Sequence, residues 1–203
     1  METLGFPALT SLPVVLAQRQ SFLEPFPHFQ VRGAVRQDAE GAILDWLEAE
    51  SSWSLTQAAF YEQHEFSLLD CDLPESVRFL TSPSLITYFK DQFSQNFGAT
   101  FDDRADVTAH RLTPGQIIKI HNDYIQGRET HRLLIQLNRS WETSQGGLLI
   151  LFSEPRPEAA VKFVIPESRS AFGFEISSRS LHAVSTIKSG SRFTLVYSFY
   201  ART

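Results

Sequence analysis

Apolar positions recur at two different periods along this chain, and the change between them divides it. Over 37–50, Ala42, Ile43, Trp46 and Leu47 fall at helical spacing behind an acidic start, which predicts a helix with one apolar stripe. Over 84–96, Leu85, Ile86, Phe89 and Phe93 share one face and the pattern stops at Gly98, a residue that commonly closes helices. The aromatic tract 52–69 has room for one or two strands. From Asp106 onward short apolar runs alternate with turn residues, predicting eight strands at 106–112, 116–123, 131–138, 147–152, 161–165, 171–176, 181–186 and 192–200. Turns are expected at Pro114-Gly115, Gln145-Gly146, 154–157 and Ser189-Gly190. Two helices followed by eight antiparallel strands predict a mainly β fold: a double-stranded β-helix, or cupin-like jelly-roll barrel, over 106–200 with the helices packed outside it. Residues 1–105 then form a mixed helical support, and 1–203 a single domain.

Successive side chains in a strand alternate between faces, so parity sorts these positions further. In the last strand Phe193, Leu195, Tyr197 and Phe199 share a face suited to packing on the helices, and Arg192, Thr194, Val196 and Ser198 share the face that looks into the barrel. In the second strand of the set, His121 and Asp123 fall together with Lys119 and Ile117.

Composition restricts function by exclusion. A net charge of −5 offers no electrostatic footprint for nucleic acid, so none is expected as primary partner. The single cysteine, Cys71, leaves no intrachain disulfide and no Cys-rich metal site, which fits a reducing compartment; Cys71 itself reads as a small buried or half-buried residue. Residues 1–20 are mildly apolar but begin with Glu2 and carry Pro7 and Pro13, unlike a signal peptide. No apolar run is long enough to span a membrane, and the expected location is cytoplasmic. The 17 Phe suit a strand-rich core.

His121 and Asp123, at i and i+2 near the end of a strand, can address one ion together. His182 lies in the seventh predicted strand, which in a jelly roll is the antiparallel neighbour of the second, so it reaches the same place. Two imidazoles and one carboxylate on one face of an octahedron leave three positions open, the arrangement suited to non-haem Fe(II), whereas a structural zinc site takes a fourth protein ligand. Ten residues past His182, Arg192 enters the inward face with Thr194 beside it, and a guanidinium in a cavity pairs with a carboxylate; a structural ion pair with one of the chain's own acids is the other reading.

These residues resemble the Fe(II)/2-oxoglutarate dioxygenases, most of all their prolyl 4-hydroxylase-like branch. The ordered elements are His121-Asn122-Asp123, Arg128, Leu137-Asn138, Trp141, Gly146-Gly147-Leu148-Leu149, His182 and Gly190-Ser191-Arg192-Phe193-Thr194. The resemblance implies Fe(II) on His121, Asp123 and His182, with O2 and 2-oxoglutarate as co-substrates and succinate and CO2 as products. It places the distal carboxylate of 2-oxoglutarate on Arg192 and Thr194. Gln136 stands where relatives often carry a helping Tyr, and a further Tyr of the family is replaced by Leu112 or Arg111. The reaction implied is hydroxylation of an unactivated C–H bond in a peptidyl or amino-acid-derived substrate. Arg128 and Lys119 are candidate substrate contacts, a solvated loop arginine and a water-facing strand lysine being the alternatives. His110 and His131 are read as structural, Trp53 and Trp141 as packing residues. Two rival functions remain, a non-catalytic cupin-like binding module and a nucleic-acid demethylase of the same superfamily.

Overall fold

The computed structural model describes residues 12–50 and 52–202. The leader reading of 1–20 therefore falls largely on residues outside the described ones. The first helix, α1 (Gln37–Ala49), buries Ala39, Ile43, Leu44 and Leu47, and its first-turn Asp38 and Glu40 suit the positive end of the helix dipole. The second, α2 (Pro83–Phe97), starts where the Ser82 hydroxyl accepts the Leu85 amide and Pro83 occupies a position that needs no N–H donor. It stops at Gly98, whose φ of 71° is the left-handed conformation that closes a helix. Both helices match the expected spans to within a residue or two.

Twelve strands are described: β1 (Gln20–Phe22), β2 (His28–Val31), β3 (Ser54–Gln57), β4 (Glu62–Ser67), β5 (Phe101–Leu112), β6 (Ile118–His121), β7 (His131–Leu137), β8 (Leu149–Phe152), β9 (Ala160–Val164), β10 (Ala171–Glu175), β11 (His182–Val184) and β12 (Arg192–Ala201). All eight expected strands are present as β5 to β12. They form the two antiparallel sheets of a double-stranded β-helix, ordered β1-β2-β10-β7-β12-β5-β4-β3 and β6-β11-β8-β9. Four earlier strands extend the larger sheet at both edges; β3 and β4 realise the aromatic tract, whereas β1 and β2 carry too few apolar alternations to be read from sequence. The strand expected at 116–123 is shorter, because a bulge interrupts its ladder with β11 and pairing ends at His121.

The parity of β12 holds. Phe193, Leu195, Tyr197 and Phe199 join Val107, Ala109, Leu133 and Ile135 in a core closed by Ile43, Leu47, Leu85, Phe89 and Phe93 of the helices. Full burial of each such side chain contributes about 1.5–3 kcal/mol. Tyr197 satisfies its hydroxyl by donating to the Leu80 carbonyl at 2.9 Å. The opposite face of β12 is left free to line a cavity between the sheets. Among the described residues no helix is long and apolar enough to cross a membrane.

Candidate active site

That cavity has a volume of about 390 Å3 and receives Arg192, Thr194, Val196 and Ser198 from β12. His121 and His182 stand directly opposite each other on β6 and β11, so the antiparallel pairing inferred from sequence is what joins them. Asp123 follows the end of β6 with a φ of 59°, a left-handed conformation that is uncommon without glycine. This backbone turn, rather than strand alternation, brings the carboxylate back to the two imidazoles. Asn122 anchors the turn: its side chain donates to the Ser178 carbonyl and its own carbonyl accepts from the Ser180 hydroxyl.

The Nδ1 of His121 lies 2.9 Å from the Lys119 carbonyl and that of His182 lies 2.7 Å from the Ser180 carbonyl. A carbonyl only accepts, so each Nδ1 carries the proton and each Nε2 presents a lone pair. Both Nε2 atoms then face Asp123 carboxylate oxygens at 3.3 Å. Three acceptors converge, with ligand atoms within 4.8 Å of one another, and no proton lies between them to share. A divalent cation satisfies all three at once, with the backbone carbonyls orienting the rings.

Burial opposes charge on Asp123, but the guanidinium of Arg132 beside it outweighs that and holds the carboxyl well below the usual carboxylate range. Burial pushes the His182 imidazole down, keeping it in the neutral form that binds metal. Arg132 lies 2.6 Å from Asp123 and 2.6 Å from Glu129, bridging two carboxylates at the cavity wall. Sequence reading passed over it, although it shares strand parity with Gln136.

Arg192 is buried, and burial pushes its guanidinium down to about 10. It makes no ion pair with any carboxylate among the described residues, which removes the structural-pair reading. Its Nη1 donates to the Thr194 hydroxyl at 2.8 Å, which donates in turn to Gln136 Oε1 at 3.0 Å. Arg192 also borders a second, smaller chamber lined by Gln136, Leu149 and Phe172. Gln136 therefore reaches Arg192 from behind, through Thr194, and does not line the main cavity. Gly147 permits the arrangement, since a Cβ there, at a φ of 67°, would sit 2.8 Å from Ile187 and 3.0 Å from Arg192 Cδ.

Neither Lys119 nor Arg128, the two candidate substrate contacts, lines the main cavity. The bulge in β6 turns Ile118 into the cavity and leaves Lys119 exposed, beside a groove formed with Phe60 and Gly115. Arg128 is exposed on the loop after Asp123 and lines none of the cavities described. His131 is enclosed by Phe93, Phe97 and Phe101 on the far side of the sheet, a packing residue as expected. His110 differs: it lines the main cavity between Gln63, Thr108 and Glu65 without belonging to the metal triad. The alternation of Val107 and Ala109 with Thr108 and His110 was the available signal. Phe60 stacks on His121 at 4.6 Å, a contact with no sequence signature. Trp141 packs against the inter-sheet core and donates to the Gly146 carbonyl; Trp53 packs on Phe66.

Two imidazoles and a carboxylate that could hold one ion, beside a buried arginine in a double-stranded β-helix, suit the chemistry of non-haem Fe(II) oxygenases using a 2-oxo acid. Residues 107–199 match the family model of the 2OG-Fe(II) oxygenase superfamily. The enzyme is thus a dioxygenase whose cofactor is Fe(II) and whose co-substrates are 2-oxoglutarate and O2.

Solved structures carry the same fold. A Pseudomonas putida prolyl-4-hydroxylase superposes with a TM-score of 0.69 at 16% identity, over 87% of this chain and 93% of that one. A prolyl hydroxylase from Trichoplax adhaerens, in complex with a hypoxia inducible factor oxygen degradation domain peptide fragment, gives 0.71 at 14% identity, over 85% and 83%. The viral collagen prolyl hydroxylase of Paramecium Bursaria Chlorella virus-1, as its 2OG complex, gives 0.61 at 12% identity, over 85% and 94%.

Proposed function

We propose that this chain hydroxylates an unactivated C–H bond of a peptidyl residue or amino-acid-derived substrate, with His121, Asp123 and His182 as its iron ligands and Arg192 as the anchor of 2-oxoglutarate. The observation that carries this reading is the buried Arg192 guanidinium, free of any carboxylate ion pair among the described residues and lining the same cavity as the three converging acceptors. An anion that reaches Arg192 relieves the cost of leaving that charge unpaired. Iron held on the triad would supply the activation of O2, coupled to conversion of 2-oxoglutarate into succinate and CO2 and of C–H into C–OH.

The chain's own groups do the positioning. The Lys119 and Ser180 carbonyls hold the proton on each Nδ1, so Nε2 stays a donor to metal. Thr194 and Gln136 fix the plane of the Arg192 fork, which then pairs with the distal carboxylate in a set direction. Arg132 keeps Asp123 charged and aimed at the triad. Neighbours named as prolyl hydroxylases, one holding a peptide, support a peptidyl substrate. The single cysteine supports a cytoplasmic, reducing setting.

The test is anaerobic titration of the purified protein with Fe(II) and 2-oxoglutarate, followed by admission of O2 and assay for succinate. A visible metal-to-ligand absorption that needs both additions, and that is lost in Arg192→Ala at moderate 2-oxoglutarate, is expected. Failure to bind both would reject the reading and leave a binding module of another kind.

A further inference from the structure

We propose that the substrate group received beside the triad is a cation, the ammonium or guanidinium of a basic side chain, held by Glu65, Gln63 and Asp106. This rests on the oxygenase reading above and names the chemistry of its substrate. Besides the triad, the cavity is lined by Tyr61 just before β4, by Gln63 and Glu65 of β4, by Asp106 and Thr108 of β5 and by Ser198 of β12. Two of these are acids with no Lys or Arg ion pair among the described residues. Besides the Gln63 amide, Glu65 faces His110, at 3.8 Å, and burial pushes that imidazole down to about 4, so at neutral pH it brings no charge. Asp106 is exposed, accepts the Tyr200 hydroxyl at 2.5 Å and has the Arg104 guanidinium as its nearest cationic influence, without a direct ion pair.

The two arginines of the cavity are committed elsewhere. Arg132 is shared by Asp123 and Glu129, and Arg192 faces the co-substrate end with Thr194. With iron and 2-oxoglutarate bound, the Glu65 carboxylate would still lack a Lys or Arg partner among the described residues.

An independent observation points to a hydrogen-bond donor. Gln63 is 4% exposed, and its amide nitrogen donates to Glu65 at 2.6 Å and approaches His110 at 3.2 Å. Its Oε1 is buried and accepts no hydrogen bond from any described residue. A buried acceptor left unpaired is costly, so a site built this way expects N–H from its occupant. A proline or aliphatic side chain brings none. An ammonium or guanidinium brings several, together with the charge that Glu65 lacks. The rings of Phe60 and Tyr61 line the same cavity and suit a cation arriving over an aromatic face.

The experiment uses matched pairs of ligands with and without charge. Protein loaded with Mn(II) and 2-oxoglutarate without O2 is titrated with acetyl-Gly-Arg-Gly-amide and its citrulline isostere, with the lysine and norleucine peptides, and with free arginine and citrulline. At least one charged ligand should bind roughly tenfold or more tighter than its neutral partner. Glu65→Gln should erase that preference while 2-oxoglutarate affinity stays unchanged. The peptide and free-amino-acid arms tell which source of the cation is accepted. Equal binding within every pair, no binding by any charged ligand, or a preference that survives Glu65→Gln would overturn the inference. Should that variant not fold, Asp106→Asn carries the same test with a smaller, roughly threefold, loss. A parent protein unable to bind 2-oxoglutarate would instead reject the oxygenase roles proposed above.

Discussion

Arg132 places Nη1 2.6 Å from Oδ2 of Asp123, so the carboxylate meant for the metal already has a cationic partner before any metal arrives. Both side chains are largely buried, at 18% and 11% exposure, and removing one half of such a pair strands the other. Arg132→Met is expected to destabilise the metal-free protein by about 3 kcal/mol. Added Mn(II) should recover more stability in this variant than in the parent, because the ion replaces the lost charge. Denaturant unfolding with and without Mn(II) reads both effects, and identical metal-free curves for parent and variant would show that the pair contributes nothing.

The triad predicts stabilisation by metal. An ion bound only by the folded state at a hundredfold excess over its dissociation constant adds about 2.7 kcal/mol. His182→Ala and Asp123→Ala should each abolish the rise in melting temperature on adding Mn(II) and abolish turnover. A retained metal-induced shift in either variant would place the ion elsewhere.

Arg192 predicts a split between kinetic constants. Replacing it with Ala removes charge-assisted hydrogen bonds worth about 1.5–3 kcal/mol, so KM for 2-oxoglutarate should rise roughly 10- to 100-fold with a smaller change in kcat. Gly147→Ala should imitate it in weaker form, since its Cβ would press on Arg192 Cδ at 3.0 Å. Steady-state assays at varied 2-oxoglutarate check both; an unchanged KM in Arg192→Ala would refute the anchor.

Much of this site was legible in sequence because it rests on two simple regularities. Antiparallel pairing made His121 and His182 neighbours, and strict alternation in β12 separated Arg192 and Thr194 from the Phe193 to Phe199 core face. Alternation failed where the ladder did. The bulge in β6 reversed Lys119, and the left-handed turn at Asp123 did for the H-x-D motif what alternation had been expected to do. Arg132, Glu65 and Gln63 were missed for another reason: their roles depend on tertiary neighbours that no local spacing reports.

Acid should destabilise the protein through His131, whose pKa burial lowers to about 4. Its folded pKa lies below the unfolded value of about 6.5, so the unfolded chain takes up the proton first. Stability from the neutral imidazole is present in full above about pH 6.5 and is lost as pH falls towards 4, amounting to about 2 kcal/mol at pH 5. His28, with a pKa likewise lowered by burial to about 4, adds to the loss. His131→Phe, placed in its cage of Phe93, Phe97 and Phe101, should flatten the difference between urea midpoints at pH 8 and pH 5. An equally steep acid loss in that variant would acquit His131.

The two carbonyls that hold the imidazole protons belong to Lys119 and Ser180, each two residues before its ligand and fixed by the backbone of the fold. The cradle is therefore finished when folding is finished. Stripping the metal with a chelator is expected to remove activity and leave the fold, with turnover returning when Fe(II) is restored.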